Sequence, residues 1–480
     1  MGLRHPGRLI GCRSVAAPSQ AGRVPVEFHL MIVPEFHDSA EARRRLDLLI
    51  EELPEGGMFT GKQWVISPWA MPLGARLIEQ LEAMGPALRA FQQACEELYL
   101  SGVSEERWRW VTELLDLGKP ADLVRWGRHP RWRGVLPGVL RPDFLLAADD
   151  RLILTEIDSV PGGIGVTARL AQLHARLGDL ILGGERGMLE GFARAFHGHD
   201  ILISAEAADY APEMIWLADQ LAREGQAKPE VLRAECVAAD DLSGRSLYRF
   251  VELFDLPNLK DSQQWLAMAG EGVLRLDAAP KAFLEEKLWL ALFHSPALTS
   301  YWREALSAEH HWRLSEVIPQ GWVLDPSPLG EQQQWPGLAV HDLMEIADWG
   351  RRQRELVIKI SGYSPLAWGA RSVSIGHDLS PPQWRSALEG ALGHFKQGPF
   401  VMQRFHRAAL LEHPAMAPDG TTLLSKQVRT RLCPYYFAQA PGATEVKLGG
   451  VLATLCPADK KILHGMRDAM LLPCSVAEGQ

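Results

Sequence analysis

The 480-residue chain contains no apolar run of the length that a membrane-spanning helix needs, roughly 18 residues. It has no C-x-x-C pair, no surplus of positive charge and no G-x-x-x-x-G-K-S/T sequence. Each absence excludes a class of protein. Without the run there is no transmembrane helix. Six scattered cysteines (Cys12, Cys95, Cys236, Cys433, Cys456 and Cys474) frame neither a zinc site nor a set of disulfides, and are expected as reduced thiols in a cytoplasmic protein. A formal net charge of −9 leaves no electrostatic footprint for nucleic acid or an anionic membrane. The missing glycine-lysine order excludes a P-loop.

The chain is long enough for two or three domains with a sizeable core. Residues 1–24, rich in arginine and poor in acids, are expected as a disordered leader. Residues 25–135 read as a mostly helical portion, because apolar residues recur at threes and fours over 38–51, 72–100 and 108–117. Phe59, Gly61, Trp64, Ser67 and Pro68 form an aromatic, turn-rich packed loop between them. Further on, a buried strand at 200–204, a helix at 212–224 and a return strand at 247–250 predict a β-α-β substrate domain over 196–280, with its ligand-ready edge at the strand C-termini. Asp209, Tyr210 and Glu213 fall in the loop that follows the first strand, as substrate contacts or as satisfied loop polars. Arg249 stands among Glu252 and Asp255. It suits either a substrate carboxylate or a structural ion-pair cluster.

Residues 140–165, LRPDFLLAADDRLILTEIDSVPGGIG, are two apolar runs separated by the polar break 148–150, and predict a β-hairpin. Pairing brings Asp143, Glu156 and Asp158 together beside Arg141, followed by a Pro161-Gly162-Gly163 turn. Oxygen ligands without His or Cys suit Mg²⁺ shared with substrate phosphates. Downstream, Pro280-Lys281 opens a predicted helix that carries Glu285-Glu286-Lys287. A strand then delivers Lys359 to a loop of glycines and hydroxyls, including Ser361, Gly362 and Ser364, whose backbone N–H groups suit anionic oxygens. That loop also carries Trp368 and Arg371. Residues 400–405 form a short strand with Gln403 and Phe405, and the basic-apolar alternation of 426–437 holds Arg429 and Arg431 as a phosphate clamp or a cationic sheet face.

The order R-x-D, twelve residues, then E-x-D-x-x-P-G resembles the metal-binding hairpin of the ATP-grasp ligases, with Asp158 where that family usually has Asn. The resemblance implies an α/β (α+β) ATP-grasp fold that binds ATP and Mg²⁺. Asp143, Glu156 and Asp158 would be metal ligands. Lys287, Lys359, Ser361, Gly362, Ser364, Gln403, Phe405 and the less well placed Lys281 would be nucleotide contacts. Arg141 would face the acyl oxyanion, and Arg429 and Arg431 the transferring phosphoryl group or the substrate carboxylate. Because the hairpin precedes the lysines, the order resembles the circularly permuted members, topologically akin to eukaryotic glutathione synthetase. The hairpin and its helices then occupy 136–195, the nucleotide part 281–405 and the remaining core strands 406–480. The implied activity is ADP-forming carboxylate–amine ligation through an acyl phosphate, on a small-molecule acid and amine. A small-molecule kinase and a non-catalytic nucleotide-binding protein are the alternatives. The oligomeric state stays open, a homodimer included.

Overall fold

The computed structural model describes residues 39–53, 57–59, 64–327, 335–367, 369, 371–417, 422–465 and 468–477. The leader, Gly61 and Trp368 lie outside them. In chain order the strands are β1 (Met71–Leu73), β2 (Val139–Leu146), β3 (Leu152–Asp158), β4 (His199–Ile203), β5 (Val231–Arg233), β6 (Ser246–Phe250), β7 (Arg275–Asp277), β8 (Gly321–Val323), β9 (Leu356–Ile360), β10 (Ser374–Ile375), β11 (Phe400–Arg404), β12 (Leu410–Met416), β13 (Leu423–Ala438), β14 (Val446–Pro457) and β15 (Met470–Val476). They make three sheets in a mixed α/β chain.

The largest sheet runs β1-β15-β14-β13-β2-β3, with β12 also on β13. The hairpin thus lies beside the last strands of the chain, β2 pairing antiparallel with β13. One face is covered by the 30-residue helix Ala75–Ser104. The approach is close enough that a Cβ on Gly85 would meet the Tyr436 ring at 2.7 Å. The expected helix over 72–100 begins only at Ala75. Met71–Leu73 instead pair in parallel with β15, and an edge strand tolerates Pro72 because its outer side needs no N–H.

The second sheet, β5-β4-β6-β7, is parallel throughout. Its strand order reverses at β4. The helix Ala211–Arg223 leads from β4 to β5 on one side, and the chain then returns to place β6 on the other. The expected β-α-β pattern is present, with β5 and β7 as additional short strands. The third sheet, β10-β9-β11-β8, is antiparallel and sets Lys359 opposite Val401.

The helix expected from Pro280 is not continuous. A short 3₁₀ turn, Ala282–Glu285, is followed by a five-residue helix, Leu288–Leu292. The chain breaks between them because the Glu286 carboxylate is held by Lys119 at 2.5 Å and by the Ser361 hydroxyl, while Lys287 N–H donates to Ser361 O at 3.2 Å.

Candidate active site

The hairpin pairs with Arg141 opposite Asp158 and Asp143 opposite Glu156, with a bulge between Asp143 and Phe144. Leu152–Leu154 are buried, whereas residues 155–158 are half-buried. The end of β3 thereby turns its carboxylates onto a cavity of about 520 Å³. Arg141, Asp143, Glu156, Asp158, Lys287, Lys359, Gly362, Ser364, Gln403, Phe405 and Arg431 all line it.

Charges alternate along this wall. The Arg141 guanidinium lies 3.1 Å from Asp143 Oδ1 and 3.1 Å from Asp158 Oδ2. Arg431 reaches the other Asp143 oxygen at 2.7 Å, and the Cys433 thiol donates to Oδ1 at 3.3 Å. Lys287 Nζ stands 3.1 Å from Glu156 Oε2, and Lys359 donates to the Thr155 carbonyl at 2.7 Å. Burial alone pushes the Glu156 carboxyl up, but Lys287, then Lys359 and Arg141, outweigh it and hold the group at about 2. Burial, reinforced by Lys287, pulls the Lys359 ammonium down to about 7 against the opposing pull of Glu156 and Asp143. Asp158 is raised by burial, only partly countered by Arg141. Burial likewise pushes the Cys433 thiol up to about 12, so it is no nucleophile.

Three expected residues stand elsewhere. Lys281 is buried, donating to Glu96 at 2.5 Å and to Val135 O at 2.8 Å, away from the cavity lining. Arg429 donates to the carbonyls of Ala408 and Ala458, tying the ends of β12, β13 and β14 together, and does not line the cavity. Two residues along β13, on the same face, Arg431 does. The Ser361 side chain is fully buried, accepting from Leu288 N at 2.9 Å and donating to Glu286, so its role is to set the turn from which Lys287 projects.

Other residues singled out from the sequence make contacts within the fold. Arg249 is fully buried and bonds Ala278 O at 2.9 Å and Glu285 at 2.6 Å, which is the ion-pair alternative. Glu213 accepts from Gly163 N at 2.7 Å and Val166 N at 3.2 Å, capping the helix Ile164–Arg176 with its charge. Tyr210 packs on the turn so closely that a Cβ on Gly162 would meet its ring at 2.2 Å. Tyr435, not singled out above, donates to Gly162 O at 2.9 Å from the cavity lining. Its signal was the period of two, Arg431-x-Cys433-x-Tyr435, on one face of a strand.

Among the described residues no three His, Cys, Asp or Glu side chains converge as a ready metal cage. Asp143 in particular has both oxygens engaged by guanidinium and thiol groups. Glu156 and Asp158, two apart on β3 and each about one-third exposed, do fit an ion held by one or two carboxylates and completed by phosphates and water. The four cations of the same wall fit the phosphates. The Gln403 amide is buried on the lining, and its N–H₂ has no hydrogen-bond partner.

The arrangement defines a three-sheet α/β protein with a charge-alternating cleft. No family model and no curated relative matches the chain. Among solved structures, it is similar to a glutathione synthetase-like effector from Globodera pallida, with a TM-score of 0.51 and 11% identity over 91% of this chain and 96% of that one. At that identity the likeness concerns the fold, which is glutathione synthetase-like. A structure assigned as a gamma-glutamylcysteine synthetase from Methylobacillus flagellatus matches at a TM-score of 0.36 and 10% identity, over 75% of this chain and 86% of that one, too distant to carry an argument. No helix of the described residues is long and apolar enough to cross a membrane.

Proposed function

We propose that the chain is an ATP- and Mg²⁺-dependent ligase of circularly permuted ATP-grasp type that joins a small-molecule carboxylate to an amine. The observation that carries this is the meeting of Lys287 and Lys359 with the Glu156 end of β3, around one cavity and across as many as 204 positions of sequence. The antiparallel pairing of β13 with β2 supports the permutation, since it joins the last core strands to a hairpin that comes early in sequence.

Residues 281–405 would bind the nucleotide, its base toward Gln403 on β11 and Phe405 just after it, and its phosphates toward Lys287, Lys359, Gly362 and Ser364. Glu156 and Asp158 would hold Mg²⁺, which when bound neutralises phosphate charge and orients the transferred group. A substrate carboxylate oxygen attacks the γ-phosphorus, and the β–γ bond breaks with its electron pair leaving on ADP. The amine nitrogen then attacks the acyl carbon, and phosphate departs with the C–O electron pair while the amine proton passes to it or to water. Arg141 and Arg431 need no proton transfer for their part. They are fixed positive charges where oxyanion and phosphoryl charge develops, their orientation held by Asp143.

The test is ADP release from Mg-ATP against pooled carboxylates and amines, followed by product analysis. An amide product is expected. A stable phosphate ester would make the protein a kinase, and nucleotide binding without ADP release across the panel would overturn catalysis.

A further inference from the structure

The two walls of the cavity differ in charge: cations and carboxylates alternate on one, and acids without cations line the other. From the hairpin, β9, β13 and the turn before Leu288 come Arg141, Lys359, Arg431 and Lys287. From the parallel sheet come the acids Glu206, Asp209 and Glu252 and the rings of Tyr210, Phe250 and Phe254, and no described residue on the lining between 199 and 277 is Lys, Arg or His. Arg249, the basic residue of β6, is fully buried against Ala278 O and Glu285 and lies off the lining. Nothing on this wall can neutralise a carboxylate.

Topology places the wall where a ligand is expected. The strand order β5-β4-β6-β7 reverses between β4 and β6, and in open parallel sheets ligands sit in the crevice outside the strand C-termini at that reversal. Glu206, Asp209 and Tyr210 follow β4, and Glu252 and Phe254 follow β6. A separate feature points to an occupant. Ser159 lines the same cavity, is 3% exposed, and its hydroxyl has no hydrogen-bond partner. A buried hydroxyl left without a partner is destabilising, and a bound donor removes that cost. Ser159 follows Asp158 directly, so it stands beside the carboxylates at the end of β3.

We infer that the crevice at the C-terminal ends of β4 and β6 binds an amine bearing a second ammonium group. The acids of this wall hold one ammonium, the rings pack on the carbon chain between, and Ser159 accepts a hydrogen bond from the nitrogen nearer the β3 carboxylates. Glu206 and Asp209 stand exposed at the mouth, so they draw a cation in without a large desolvation cost. A dicarboxylate meets like charge there, and a monoamine leaves the acids unused. That this amine is the acceptor of the ligation rests on the function proposed above; the binding site is argued from the wall alone.

The probes are four-carbon compounds graded in charge: 1,4-diaminobutane, n-butylamine, 4-aminobutyrate and succinate. Their binding to the full chain is measured calorimetrically at 0.15 M salt, with Mg-ADP binding measured separately. The diamine is expected to bind more tightly than n-butylamine, while succinate and 4-aminobutyrate report on the cationic wall. Glu206→Gln with Asp209→Asn should weaken the diamine by about tenfold or more while leaving Mg-ADP affinity as it was. A diamine that binds no more tightly than n-butylamine, or a diamine affinity that ignores the double substitution, would overturn the inference. Absence of Mg-ADP binding with the graded series intact would instead remove the ligase function and leave the amine site standing.

Discussion

Lys359 donates its ammonium to the backbone carbonyl of Thr155, 2.7 Å away and 204 positions earlier in the chain. The bond spans two sheets. Lys359 belongs to the antiparallel sheet of β8 to β11, whereas Thr155 lies on the hairpin of the large sheet, one residue before Glu156. A lysine so placed is 7% exposed and near neutrality, which makes the cleft sensitive to whatever anion enters.

Stability should therefore depend on pH through this group. Its folded pKa, about 7, lies below the ordinary lysine value of 10.5. Between these values the unfolded chain binds more protons than the native one, so this group makes stability rise with pH across that window. Below about pH 7 its full cost is present, and above the ordinary lysine range the cost is gone. Urea unfolding of the wild type and Lys359→Met from pH 6.5 to 10 should show a rising difference that the variant lacks. Parallel curves would contradict the position of this lysine.

Nucleotide phosphates should recharge the same amine. Calorimetric titration with Mg-ADP near pH 8, in buffers of different ionisation enthalpy, is expected to show net proton uptake, reduced in Lys359→Met. Buffer-independent heats would count against contact between Lys359 and phosphate.

Removing the Glu156 charge should stop turnover without unfolding the protein. Glu156→Gln keeps shape but loses the carboxylate that faces Lys287 and would hold the metal. ADP release is expected to fall by two orders of magnitude or more, on the scale of roughly 10²–10³-fold for one electrostatic catalytic group. Near-UV circular dichroism should be retained. Near-normal ADP release would refute the assignment.

Lys281 and Lys287 should separate cleanly. Lys281→Met leaves Glu96 buried without its partner, and broken buried pairs cost about 3–5 kcal/mol. Denaturant unfolding should register that loss, while Mg-ADP affinity in the folded fraction stays near normal. Lys287→Met should do the opposite, weakening Mg-ADP with a smaller change in stability. Exchange of these two phenotypes would mean that the wrong lysine has been placed at the phosphates.

Gly163 should be intolerant of a side chain. It has φ +87°, and an added Cβ would stand 2.5 Å from Tyr435 Oη. Gly163→Ala is expected to cost about 1–3 kcal/mol in urea unfolding, from left-handed backbone strain and the contact together. A change below about 0.5 kcal/mol would show that the turn relaxes freely.

The sequence alone determined the local pieces. Short apolar runs bounded by turn residues marked the hairpin, the β-α-β run and the strands at 356–360 and 400–405, because both the run and its turns are properties that each segment carries within itself. The spacing of Arg141, Asp143, Glu156 and Asp158 was legible for the same reason, since antiparallel pairing fixes which residues face each other. What only the tertiary structure decided is which cations meet those acids. Arg429 and Arg431 are equivalent as letters, and Lys287 is only favoured over Lys281 by the acid before it; each pair is separated by burial and by partners such as Glu96 and Ala408 drawn from distant parts of the chain. Charge interactions reach across sheets and depend on how much water remains between the partners. Neither separation nor hydration is written in any local stretch of sequence.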